Sequence, residues 1–221
     1  MRKKGEMMNK NLWLRRVRNV AGLLGGLLPW IAIFSVLLIK DRPDHALYSI
    51  SATYYTSPAL AVILGAASIV LMCYDGYSML DDVITCISGV FGLSIILFPC
   101  TVGWHNSMDP VGFFQVPMHY SNMIHCFCAS VFFVLLAFNS FFLFTRTDDF
   151  DKQTKKKKQR NWVYRICGIG MLVFMVSQII CSQVSCIPGW TTMVNEIFLL
   201  LFFSVSWLTK GGMLKFLNDK E

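Results

Sequence analysis

"SNMIHCFCASVFFVLLAFNSFFLF", residues 121–144, runs for 24 residues without one Asp, Glu, Lys or Arg. As a helix it would rise about 36 Å, more than the roughly 30 Å of a bilayer's hydrocarbon core. One such run in a soluble domain would need a large core to hide it. Here it has company on both sides. Downstream lie a run starting near Trp162 and reaching Ile180, and "TTMVNEIFLLLFFSVSW", 191–207. Upstream lie "VITCISGVFGLSIILF", 83–98, "PALAVILGAASIVLMCY", 58–74, and "AGLLGGLLPWIAIFSVLLI", 21–39. The runs at 58–74 and 83–98 are short, so they tilt little or borrow flanking residues.

The expectation is an all-α, polytopic membrane protein with a six-transmembrane-helix bundle. A basic segment, 1–20, precedes the bundle at 21–207, and a tail, 208–221, follows it. Composition agrees: 55% of residues are hydrophobic, 15% are charged and the mean hydropathy is +0.52, far from the usual soluble balance. The N-terminal basic stretch and its 19-residue apolar run show no small-residue cleavage site, so they read as an anchor helix rather than a signal peptide.

The net charge of +7 invites a nucleic-acid reading, but the distribution argues otherwise. Of the 20 Lys and Arg, only Lys40 and Arg42 fall on one side of a six-span arrangement. Cations collect on the cytoplasmic side, so both termini are expected there. "KKKKQR", 155–160, reads as a topology signal on a solvated loop. Acidic headgroups or nucleic acid are its alternative partners.

Small residues spaced four apart let helices approach closely in lipid. Gly22 with Gly26, Ala61 with Gly65, Thr85 with Gly89 and Ser88 with Gly92 are such pairs. They are packing faces first, and surfaces for a homo-oligomer second. Pro29 is expected to bend the first span, and the six tryptophans to mark the interfaces.

Polar residues gather on the opposite side from the cations. "YSISATYYTSP", 48–58, is rich in hydroxyls, and all four histidines fall on that side. Glu196 lies inside the last run, where an ionisable group is costly and marks a bundle interior or wet cavity. Asn195 is its neighbour and Gln178 ends the fifth span. His119, Asn122 and His125 share an arc if the fourth helix begins early. The hydroxyls of Ser49, Ser51, Thr53, Tyr54, Tyr55 and Thr56 complete the candidate wall of an outward-opening pocket. The plainer reading of 48–58 gives its tyrosines a headgroup role and makes Ser57 a helix cap before Pro58.

A metal site would draw on His105, His119, His125 and Asp109. His119 and His125 stand about 9 Å apart along a straight helix, too far to share a zinc at 2.0–2.1 Å per bond unless His119 precedes the helix. No GxSxG, HExxH, P-loop or dinucleotide fingerprint is present in a usable context. Cys100, Cys181 and Cys186 could pair in an oxidising compartment, with no connectivity favoured.

"YSISATYYT" (48–56), "ILFP" (96–99), "HYSNMIHCFCASVFFVLLAFNSFFLFT" (119–145) and "RNWVYRICGIGM" (160–171) resemble a group of uncharacterised bacterial multi-pass membrane proteins. The resemblance implies a bacterial cytoplasmic membrane and names no activity. The residues themselves lead to a protein that binds, senses or translocates a small ligand or ion. A zinc-dependent hydrolase acting on a lipid or lipid-linked substrate at the outer leaflet is the rival. A membrane subunit of a larger complex is the third possibility.

Overall fold

A computed structural model describes residues 2–146, 154–184 and 188–219. Six helices carry nearly all of the regular structure: α1 (Arg2–Leu37), α2 (Ala59–Met72), α3 (Met79–Leu97), α4 (Met118–Phe138), α5 (Lys155–Gln183) and α6 (Thr191–Gly211). All but α2 are long and apolar enough to cross a membrane. With 14 residues, α2 rises only about 21 Å. Each helix packs on its neighbour in sequence, and α6 packs back on α1. The bundle is therefore a closed ring.

The ring closes through the small residues. A Cβ on Gly22 would meet Leu208, and one on Gly26 would meet Ser204, so this face of α1 lies against α6. On α3, a Cβ on Gly89 would come within 2.5 Å of the Ser68 carbonyl of α2. On α1 and α3 these small residues serve as packing faces within the bundle. Leu14, Leu28, Leu71, Leu136, Met171 and Trp207 form the centre of the core.

Several local features differ from the sequence reading. Lys155–Arg160 is not a loop but the first turns of α5, with Thr154 accepting the Lys157 N–H as the N-cap. Pro29 lies inside α1, and the helix continues through it. Trp13, Trp30, Trp162 and Trp190 are exposed as interface residues should be, but Trp207 is fully buried, edge-on to Tyr74 and Phe144. The turn before α3 is built by a reciprocal capping box: Ser78 accepts from the Asp81 N–H and Asp81 accepts from the Ser78 N–H.

Two loops cap the end of the ring away from the cations. Residues 51–55 form a 3₁₀ turn. Residues 98–117 carry a two-stranded hairpin, β1 (Pro110–Val111) with β2 (Val116–Pro117). Its turn needs left-handed backbone at Gly112, φ 70°, and at Gln115, φ 50°. A Cβ on Gly112 would also strike the Leu97 carbonyl at 2.5 Å. Ala52, Cys100, Val102, Val111 and Met118 make a small second core beneath this cap.

Candidate functional site

The hydroxyl-rich stretch folds around Glu196. Ser49 donates to both carboxylate oxygens, at 3.0 and 2.8 Å, and Ser51 donates to Oε1 at 2.7 Å. The Ile50 N–H donates to Oε2 at 2.5 Å. The Met193 N–H, one turn earlier on α6, donates to the Tyr48 carbonyl at 2.9 Å. So α6 and the loop are fastened by both backbone and side chain. All of the carboxylate's partners are neutral donors, and among the described residues no basic side chain pairs with it.

The other hydroxyls of the stretch have local work. Thr53 donates to the Ile50 carbonyl and Thr56 to the Thr53 carbonyl, which tightens the turn. Ser57 accepts from the Ala59 N–H at 3.2 Å, but the N-cap of α2 is Pro58 and not Ser57, because the helix begins one residue later than the sequence suggested. Tyr55 donates to the Cys100 carbonyl at 2.7 Å and stacks near His105. Burial pushes both the Tyr55 hydroxyl and the Cys100 thiol well above their ordinary pKa values. Tyr54 packs edge-on against Tyr55.

Glu196 opens on a cavity of about 220 Å³, whose lining also includes Ser51, His125 and Gln178. His125 is buried, and its Nδ1 faces two carbonyls, Ile95 at 3.1 Å and Phe98 at 3.0 Å. Both are acceptors, so Nδ1 carries the proton in a bifurcated bond. In its neutral form His125 then keeps its lone pair on Nε2. Gln178 is held by α6: it donates to Thr192 at 3.2 Å, and its carbonyl accepts from Asn195 at 3.1 Å. The rest of the wall is aliphatic or aromatic, with Leu28, Leu60, Ile95, Phe133 and Leu199 prominent.

The mouth is on the flank. Of the lining residues, Cys126 on α4 and Ile179 and Ser182 on α5 are exposed. At the other end the two helices close up, where a Cβ on Gly168 would meet the Ala137 carbonyl and Phe141. The sequence reading expected the opening to face outward along the axis. Instead α4 and α5 part sideways, toward the space that lipid occupies.

The candidates from sequence therefore divide. Glu196, His125 and Gln178 share the cavity. Asn195 stands behind it as the support of Gln178. Asn122 is elsewhere: it accepts the Thr101 N–H at 2.9 Å and fixes the cap. Tyr54 and Tyr55 belong to the cap as well. His119 is exposed beside Tyr120. Ser49, Ser51 and the Ile50 N–H are the partners that hold Glu196. The clustering of hydroxyls hinted at the two serines, but nothing in the sequence marked a single backbone N–H.

The metal alternative does not assemble. Because α4 starts at Met118, His119 is inside the helix and its separation from His125 stands. His105 lies 3.5 Å from Asp109, in the loop that packs on the start of α4 through the Met118 and His119 N–H groups. Among the described residues, no three His, Cys, Asp or Glu side chains converge as a metal site would require. Cys100 and Cys181 are free thiols, and Cys186 lies outside the described residues.

Comparison with protein-family models, curated proteins and solved structures yields no match. The functional reading rests on this geometry.

Proposed function

We propose that the chain is a membrane-embedded binding protein that admits a small amphipathic ligand through the flank between α4 and α5. The ligand's head carries positive charge or hydrogen-bond donors and sits by Glu196, with Gln178 and His125 Nε2 as further polar contacts. Its apolar body lies against Leu60, Phe133 and Leu199. One observation carries this reading: a carboxylate with only neutral partners opens on a largely aliphatic cavity. Hydrogen bonds from neutral donors satisfy its lone pairs, and in its ionised form no basic side chain among the described residues offsets its charge. In a low-dielectric site that charge attracts a cation far more strongly than in water, and repels an anionic head.

Position favours binding or sensing over carriage. Transporters place their sites near the midplane on broken helices, whereas Glu196 lies in the second turn of an unbroken α6. The arrangement we favour is six spans, with α2 reaching its span through its flanking residues, and both termini in the cytoplasm. The resemblance to bacterial multi-pass proteins makes a bacterial cytoplasmic membrane the implied location.

The test is binding of decyltrimethylammonium, decanol and decyl sulfate to protein in lipid nanodiscs. The cation should bind at least tenfold tighter than decanol, and decyl sulfate weakest of all. Glu196→Gln should abolish that ranking. Equal binding of all three, or a ranking unchanged in Glu196→Gln, removes the reading. A reporter fused after Glu221 should register in the cytoplasm; a signal on the other side refutes the orientation.

A further inference from the structure

The opposite end of the bundle carries a second recess, of about 420 Å³, between the end of the α4 segment and the start of α5. Its walls include Arg146, Lys158, Asn161 and Arg165, together with Phe142 and Trp162. We propose that this recess binds the phosphate-bearing headgroup of an anionic phospholipid. The proposal concerns different residues from the cavity at Glu196 and stands without it.

Charge is the first argument. Arg146, Lys158 and Arg165 come from two elements and converge on one hollow. None of the three has a carboxylate partner among the described residues. Lys158 and Arg165 are seven apart, two turns along one face of α5. Among the described residues the Arg146 guanidinium reaches only the Ser78 hydroxyl, at 3.3 Å, whereas three neighbouring cations are tied to backbone carbonyls or a carboxylate. Lys156 donates to the Phe216 carbonyl at 2.6 Å, Lys157 to the Arg146 carbonyl at 3.2 Å, and Arg160 to the Leu217 carbonyl at 2.8 Å and to Asp219 at 3.0 Å. The run is thus divided between cations that tie the chain together and cations that line the recess.

Helix electrostatics adds a second argument. The first turn of α5 holds four lysines and no acidic residue, although the N-terminal end of a helix already favours negative charge. Asp219, bonded to Thr154 and Arg160, supplies part of that negative charge, and an anion in the recess would add to it. Asn161 also lines the recess, and the NH₂ of an amide is a donor suited to phosphate oxygens.

The surroundings select lipid over a free anion. Phe142 is 53% exposed and Trp162 66% exposed, the latter an amphipathic ring of the kind found at headgroup level. Ile166 and Ile169 continue an exposed apolar strip along α5 from the same point. A headgroup in the recess would lay its acyl chains along that strip.

The test compares phosphatidylglycerol with phosphatidylcholine. Spin-labelled forms of each are offered to full-length protein in vesicles, and the protein-bound fraction is measured. Phosphatidylglycerol should be preferred, and the preference should fall about fivefold for each cation removed in Arg146→Gln, Lys158→Gln and Arg165→Gln. Arg146→Lys with Arg165→Lys keeps the charge and should keep most of the preference. Lys40→Gln with Arg42→Gln should leave it intact. An unchanged preference in the triple variant overturns the proposal. So does full competition by millimolar glycerol phosphate, which would assign the recess to soluble phosphates. Triple-variant-sensitive binding of a 20-nucleotide poly(U) that displaces the lipid would assign it to nucleic acid instead.

Discussion

The two ends of the ring bury opposite charges and handle them differently. At one end Glu196 is held by two hydroxyls and a backbone N–H, and faces an open cavity. At the other, Arg18 is only 2% exposed. It donates to the Tyr74 hydroxyl from Nε at 3.0 Å and from Nη2 at 2.6 Å, and lies over the Tyr77 ring. Lys210 donates to the Phe144 carbonyl at 3.0 Å and sits near the rings of Phe144 and Tyr164. Both ends meet charge with dipoles or ring quadrupoles. The interior around Arg18 and Lys210 is sealed by Trp207, Tyr164 and Phe144, so these two charges serve packing, while the recess at Arg146 lies outside that seal. The anionic end is left with space beside its charge, and space is what a ligand needs.

The sharpest way to break this contrast is to unseal the cationic end. Trp207→Ala removes a fully buried indole that contacts Tyr74, Phe144 and Phe203. A cost of about 4 kcal/mol is expected, read as unfolding in mixed micelles, and a loss under 1 kcal/mol would mean the end is not sealed by this ring. Glu196→Leu ranks next, at about 3 kcal/mol, because Ser49, Ser51 and the Ile50 N–H lose their acceptor together. Glu196→Gln should cost about 1 kcal/mol, since an amide keeps an oxygen for Ile50. If Leu and Gln behave alike, the carboxylate is not what holds the loop.

Tyr74→Phe should follow at about 2 kcal/mol, the range for hydrogen bonds to a charged group. It takes away both hydrogen bonds from the buried Arg18 guanidinium to the Tyr74 hydroxyl while keeping the ring over it. An effect no larger than a surface substitution would show that the ring face alone suffices.

The cap supplies a pH-dependent comparison. Burial raises the Cys100 thiol pKa in the folded chain, whereas the unfolded thiol ionises near about 8.5. Above that pH the unfolded state holds fewer protons than the folded state, so stability falls as pH rises. Neutral-pH alkylation of Cys100 should also be slow, because thiolate is the reactive form. Cys100→Ala should flatten the alkaline limb of the stability profile. A Cys100 that labels as fast as exposed Cys73 at neutral pH would contradict the burial.

How much of this was legible in the sequence depends on the kind of information. Uncharged runs such as 121–144 announce helices because their length must match a fixed apolar thickness. The costly Glu196 announced a special environment for the same reason. The cavity's partners were harder. His119 and His125 look alike in sequence, yet α4 turns His125 onto its buried stripe with Ser121 and Cys128 and leaves His119 outside. Which face of α4 is inward is set by the ring's closure, a property of all six helices. The flank opening was invisible for a related reason: it is a gap between α4 and α5, and gaps leave no residue signature. Trp207 misled because an indole near a span's end fits an interface as well as a core.

The smallest expected effects compare interhelical hydrogen bonds in the two halves. Asn195 links α6 to α5, donating to Gln178 at 3.1 Å and accepting from Ser177 at 3.2 Å. Ser206 links α6 to Ser140 at 2.7 Å in the sealed half. Such bonds average only about 0.6 kcal/mol in membrane proteins, so Ser206→Ala should cost about that much and Asn195→Ala about twice as much. The ligand readout should separate them. Asn195→Ala frees the Gln178 amide beside the cavity and should weaken decyltrimethylammonium binding severalfold, while Ser206→Ala should leave it unchanged. If both variants weaken binding equally, the two halves are coupled through α6 as one rigid rod, and the division between the packing role of Ser206 and the binding role of Asn195 fails.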